Sequence, residues 1–134
     1  MGYTHYWNVI DPAVIDEKFE EFVEGAKLII HTGIEAGIRI TDIEVSSEKV
    51  VFQGEVETFY FERRGEAFNF CKTGQHPYDT IITAILIQAK RVFGNALKVS
   101  SDGNWAEWSD GRLLHETVYD VQATVGEVFG NVVD

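Results

Sequence analysis

Two short segments hold most of the side chains able to do chemistry: "FCKTGQHPYD" at residues 70–79 and "SSDGNW" at residues 100–105. The first gathers a thiol, a lysine, a hydroxyl, a histidine and a carboxylate. The second gathers two hydroxyls, a carboxylate and an indole. Each follows a stretch of strand character and precedes a helical one. The first turn of a helix carries unpaired N–H groups and a partial positive charge, which suits an anion. Lys72 and Thr73 come off a strand end toward such a turn, and Ser100 and Ser101 add hydroxyl donors in the other loop. If the two strands lie side by side, both loops share one cleft, and the chemistry expected there is capture of a phosphate-bearing molecule.

Each of these residues also has a structural reading. Asp79 and Asp102 fit helix caps. Gly74 and Gly103 fit tight turns, and Lys72 fits a cross-strand pair with Glu57. The G-x-x-x-x-G-K-[ST] spacing of a P-loop is absent. Cys71 has His76 near it in sequence, the pairing a thiol nucleophile needs. It also follows Phe68 and Phe70 on a strand expected to be buried, where a free cysteine is usually a small hydrophobe, so Cys71 is predicted to be buried and inert. His5, His31, His76 and His115 show no recognised ligand spacing, so no metal or other cofactor is expected. An acid–base pair such as Asp79 with Asp102 stays open, since a fold can join distant carboxylates. Tyr3, Tyr6, Trp7, Tyr60, Tyr78, Trp105 and Trp108 fall in or beside the dense segments. They can wall a site for a flat ring or simply fill a core.

The elements that must position these residues follow from periodicity and caps. "GYTHYWNV" reads as a first strand rich in aromatic residues. Asp11-Pro12 starts a helix, Asp as cap and Pro at its first position. Ile15, Phe19, Phe22, Val23, Ala26, Ile29 and Ile30 form its apolar stripe, with Gly33 or Gly37 as the stop. "ITDIEVSSEKVVFQG" predicts two strands around a Ser-Ser-Glu turn. "ETFYFERRGEAFNFCKT" predicts a second hairpin turning near Arg64-Gly65, with Phe61 facing Phe68, Phe59 facing Phe70 and Glu57 opposite Lys72. His76-Pro77-Tyr78-Asp79 opens a helix that runs to Phe93 and stops at Gly94. That helix is apolar nearly all round and must be central. "ALKVSS" is one more strand. A last helical region keeps Leu113, Leu114, Thr117, Val118 and Val121 at helical spacing, and the chain after Gln122 is weakly determined. The reading is one α+β domain over residues 1–134, an antiparallel sheet of five or six strands with about three packed helices.

The whole chain narrows the function classes. With 134 residues and 45% hydrophobic content it buries a sizeable core. The longest apolar run, around residues 81–87, is too short to span a bilayer, so no membrane association is expected. "MGYTHYW" has neither the basic nor the apolar region of a signal peptide. Tyr6 stands where myristoylation wants Ser or Thr. The lone Cys71 allows no intrachain disulfide, which fits a cytosolic setting. The net charge is −11. In "DPAVIDEKFEEFVEG" six acids face only Lys18. That field disfavours general binding to DNA or RNA. The acidic run reads as a solvated helix face, or as a surface that occupies a basic host protein.

The opening "MGYTHYW", the central "FCKTGQHPYD" and the later "SSDGNWAEW" together resemble a family of small uncharacterised bacteriophage and prophage proteins. Its members start M-G-Y-T-H-Y-W, carry F-C-K-T-x-x-x-P-Y-D before an apolar helix, and then S-S-D-G before a Trp-containing stretch. The resemblance runs nearly the full length. Gly74-Gln75-His76 stands where a basic residue is frequent in the family. The resemblance brings no activity with it; it implies a phage origin and a bacterial cytoplasm. Combined with the residues, it suggests a protein that binds a small phosphorylated, ring-containing molecule, a sponge for a nucleotide-type immune second messenger. The expected ligand residues are Tyr3, His5, Trp7, Lys72, Thr73, His76, Tyr78, Asp79, Ser100, Ser101, Asp102 and Trp105. The alternatives are a hydrolase of such a nucleotide, with His5, His76, Asp79 or Asp102 as acid or base, and an acidic inhibitor of a basic host protein. Self-association is left open.

Overall fold

The structure, a computed structural model, describes residues 2–130, so Met1 of the opening motif lies outside it. Six strands and four α-helices follow one another among these residues: β1 (Thr4–Val9), α1 (Pro12–Glu35), β2 (Thr41–Val45), β3 (Lys49–Gln53), β4 (Thr58–Glu62), β5 (Phe68–Lys72), α2 (Asp79–Phe93), β6 (Leu97–Ser101), α3 (Ser109–Tyr119) and α4 (Val125–Phe129). The class is α+β with antiparallel pairing throughout. The strands divide into two sheets of three, β5-β1-β6 and β2-β3-β4, where one larger sheet was expected.

The predicted hairpin over residues 57–72 does not form. β4 pairs with β3, and β5 pairs with β1. Burial explains the choice. Phe59 and Phe61 are fully buried, whereas Phe68 and Phe70 are more than half exposed. The expected register would have set each buried ring opposite an exposed one. Instead the inner rings of β4 meet Trp7 of β1, which lies 5.2 Å from Phe59 and 5.9 Å from Phe61, nearly parallel to the latter. Phe22 of α1 and Phe93 of α2 close on Phe61 at 4.5 and 5.9 Å. This aromatic cluster is where the two sheets and two helices meet.

The Asp11 side chain accepts from the Ala13 N–H at 3.1 Å and Pro12 begins α1, as their types dictate. The helix runs through Gly33, and Gly37 follows with φ +98. Its acidic face is solvated at Glu17, Glu20, Glu21 and Glu24. Asp16 is instead held by Arg63 and Arg64, each at 2.8 Å. Every residue of α2 from 81 to 89 is buried, so this helix is the centre of the fold. α3 turns Gly111, Leu114 and His115 inward and leaves Leu113 exposed, while Val121 lies beyond its end. A Cβ at Gly111 would sit 1.8 Å from Thr83 Oγ1, so only glycine lets α3 approach α2 so closely. After Gln122, where periodicity is weak, a Thr124–Glu127 capping box starts α4.

Candidate functional site

Strand β1 sorts the expected site residues onto two faces. His5 stands opposite both Cys71 and Ser101, Thr4 opposite Lys72, and Tyr6 opposite Phe70 and Ser100. Side chains alternate along a strand. His5, Trp7, Cys71 and Ser101 therefore face the core, and Thr4, Tyr6, Lys72 and Ser100 face outward. Lys72 and Ser101 lie on opposite faces of the sheet, which ends the expectation of one shared cleft.

The inward set forms a hydrogen-bonded chain. His5 Nε2 lies 2.5 Å from Asp79 Oδ1, and Thr73 Oγ1 donates to the same oxygen at 2.5 Å. His5 Nδ1 lies 2.7 Å from Ser101 Oγ. That oxygen already accepts from the Gly103 N–H at 2.8 Å and the Trp108 Nε1–H at 3.1 Å. With both lone pairs used, the Ser101 O–H must donate to His5 Nδ1, and His5 Nε2–H then donates to Asp79. Tyr3 and Trp108 pack edge-on to the imidazole at 5.2 and 5.1 Å. Burial, aided by Asp79 and Glu107, pushes the Tyr3 phenol up to about 12. A Cβ at Gly103 would lie 2.0 Å from the Tyr3 hydroxyl, so the S-S-D-G glycine makes room for this ring. The order Asp79–His5–Ser101 is that of a nucleophile relay. However, His5 is wholly buried and the Ser101 oxygen is saturated, so the chain acts as a brace between β1, β6 and the start of α2.

Several expected roles are replaced by others. Asp79 caps nothing, because it spends Oδ1 on His5 and Thr73. Asp102 does not cap α3 either: it accepts from the Thr4 N–H at 3.1 Å and from the Tyr6 hydroxyl at 3.3 Å. Glu57 meets Lys72 at the backbone N–H, 2.6 Å away, rather than at the ammonium. Trp7 and Tyr78 are core residues and form no wall. The Tyr78 ring lies on Gly54, its hydroxyl accepts from the Glu57 N–H at 2.9 Å, and burial pushes it up to about 12. Cys71 is wholly buried, as expected, and burial pushes its thiol up to about 12. Lys72 and Ser100 share the outer face with Tyr6, Phe68 and Phe70.

Two clefts adjoin the dense segments. The one at the start of α2 includes Gln75, His76 and Asp79, with Glu107 and Asp110 across it. Among the described residues three carboxylates and no lysine or arginine line it, which opposes the anion expected at this helix start. The other, about 570 Å3, follows the free edge of β6. It is lined by Lys98, Ser100, Ser101, Asn104, Trp105 and Phe129, with Val99 and Gly103 between them, and by no carboxylate among the described residues. The flanking bonds Ile10 N–H to Ala96 and Asp102 N–H to Thr4 fix the ladder's parity. The even residues of β6 therefore bond to β1, and Val99 and Ser101 turn their backbone N–H and C=O toward the cleft. Trp105 is fixed there by Arg112, whose guanidinium carbon lies 4.6 Å from the ring centre, and by Phe129 edge-on at 5.6 Å. Lys98, Asn104 and Phe129 were not among the expected site residues. Only the strand alternation of "ALKVSS" hinted that Lys98 and Ser100 share a face. Among the described residues no helix is long and apolar enough to cross a membrane.

No protein-family model, no curated protein and no solved structure matches the chain.

Proposed function

We propose that the chain binds a phosphorylated, ring-containing small molecule in the β6-edge cleft and holds it without converting it. The observation that supports this is the cleft's composition: among the described residues, one lysine and no carboxylate line it, in a chain of net charge −11. An acidic surface gives no long-range attraction for an anion, so affinity must come from short-range contacts. Lys98 supplies the charge and Ser100 and Asn104 neutral polar contacts. The outward N–H of Val99 adds a backbone donor of the kind that phosphate accepts. Trp105 and Phe129 offer an apolar wall for the ring. The volume falls within the roughly 300–1,000 Å3 of small-molecule sites. Taken with the resemblance to phage proteins, the reading is a sponge for a nucleotide-type second messenger in an infected bacterial cell.

Hydrolysis is the second reading, favoured by Ser101 lining this same cleft; it requires a ligand to displace one of the donors, Gly103 N–H or Trp108 Nε1–H, that saturate the Ser101 oxygen in the free protein. Calorimetric titration with cyclic nucleotides and ADP-ribose, followed by recovery of the ligand after denaturation, separates the two. Binding with intact ligand is expected. A charge-assisted hydrogen bond contributes about 1.5–3 kcal/mol, so Lys98→Ala weakens binding roughly ten- to a hundredfold. Lys72→Ala, on β5 at the opposite edge of the sheet, leaves it unchanged. Recovered product that disappears in Ser101→Ala identifies a hydrolase. No heat with any ligand leaves the acidic face of α1 as the functional surface.

A further inference from the structure

A second cleft, about 450 Å3, opens between α1, α2 and α3, lined by Gly25 and Leu28, by Gln88 and Val92, and by His115 and Tyr119. Its wall holds polar groups that the protein does not satisfy. Gln88 and His115 are 4% and 1% exposed. Gln88 Oε1 and both His115 ring nitrogens are shielded from solvent and have no hydrogen-bond partner among the described residues. Orphaned buried donors and acceptors are costly, and an apolar side chain of similar shape removes that cost. Helix α1 also gives way to this cluster. A Cβ at Gly25 would lie 2.2 Å from the Tyr119 hydroxyl and 2.3 Å from Gln88 Nε2. The Tyr119 ring packs over the His115 ring at 4.8 Å.

The polarity of the cleft selects its occupant. Glu21 and Glu24 stand in its lining. The one arginine or lysine there among the described residues, Arg91, is engaged by Glu127 at 2.7 Å. An anion is disfavoured. The Gln88 amide places a carbonyl and an NH2 side by side, the pair that reads a heterocycle with adjacent donor and acceptor, as glutamine reads adenine. Burial and the nearby Arg91 lower the His115 pKa to about 4, so at neutral pH the ring offers one donor and one acceptor. Leu28 and Val92 supply apolar contact for the faces of a flat ring.

We propose that this cleft binds a neutral, planar nitrogen heterocycle of the nucleobase type, read by the Gln88 amide and the His115 imidazole, with Tyr119 displaced from over His115 on entry. The site stands apart from the β6-edge cleft and does not rest on the function proposed for it. The test is titration of the whole chain with adenine and with hypoxanthine, following the His115 ring nitrogens by long-range 1H–15N correlation, together with thermal melts of Gln88→Leu. Saturable shifts of the His115 signals are expected with at least one base, unchanged in Lys98→Ala. Gln88→Leu should weaken that response at least tenfold while raising the melting temperature of the free protein, because it removes an orphaned oxygen. No saturable shift with either base overturns the proposal. So does a lower melting temperature in Gln88→Leu, which would mean that bound water already satisfies the amide. A response equally sensitive to Lys98→Ala would overturn it too, by placing the base in the other cleft.

Discussion

His5 and Asp79 are 74 positions apart in the chain and 2.5 Å apart in the fold. Their contact, with Thr73 on the same carboxylate oxygen, joins the middle strand of one sheet to the first turn of the central helix. Removing the carboxylate leaves two wholly buried side chains without their acceptor. Asp79→Ala is therefore expected to cost on the order of 2–6 kcal/mol, since each orphaned group costs about 1–3. Asp79→Asn keeps an acceptor oxygen and should lose less. Urea titrations of the three proteins measure both. A midpoint for Asp79→Ala equal to that of wild type would show that the chain of bonds braces nothing.

Cys71 should be unreactive while the protein is folded. Its thiol is buried and raised to about 12, against about 9 for an open thiol. Labelling of native protein by a disulfide reagent should be slow and should not accelerate between pH 7 and 9, whereas the unfolded chain accelerates over that range. The raised value also sets a sign. The unfolded thiol ionises first as pH rises, so this group's contribution to stability is present below pH 9 and is lost as pH climbs toward 12.

His115 gives a pH dependence of opposite direction. Its pKa is lowered from 6.5 to about 4, first by burial and then by Arg91. Between those values the unfolded chain binds a proton at this position and the folded one does not. Stability is full above pH 6.5 and falls as pH drops toward 4. His115→Gln does not titrate, so the difference in unfolding free energy between the two proteins should shrink over that window. A constant difference would place His115 in contact with water.

Two glycine substitutions should have opposite effects. A Cβ at Gly54 would sit 2.0 Å from the Tyr78 ring, so Gly54→Ala should destabilise by about 1–3 kcal/mol through overpacking. Nothing lies within 4 Å of a Cβ at Gly126, which is inside α4. Gly126→Ala should stabilise by roughly 0.4–1 kcal/mol by restricting the unfolded chain. Melting temperatures of the pair check both signs.

Local signals were readable from residue order. The Asp11-Pro12 start, the stripe of α1, the all-round apolar α2, its stop at Gly94 and the burial of Cys71 are set by neighbours within a few turns. Facing was not readable. Alternation says that Cys71 and Lys72 point to opposite sides, but not which distant strand lies beside them. Pairing of β5 with β1 rather than β4 therefore decided the fate of Lys72. The carboxylates that make the cleft at α2 unfit for an anion, Glu107 and Asp110, come from beyond β6. Gln88 directly follows the apolar run of residues 81–87 and His115 has no ligand spacing to another histidine, so neither stands out in the sequence; their shared wall exists only once α3 lies on α2. The short α4 had a signal in the Thr124-x-x-Glu127 spacing, which outranks its weak periodicity.

β1 sits between two strands that come much later in the chain, one starting at Phe68 and the other at Leu97. During synthesis this aromatic segment leaves the ribosome long before either partner exists; one edge stays open until Lys72 has emerged and the other until Ser101 has. The meander β2-β3-β4, by contrast, pairs only neighbours and can close early. Assembly in such a chain is governed by the late, long-range step. Until that step is complete, "THYWNV" is the segment most exposed to wrong pairing, with another copy or with a chaperone.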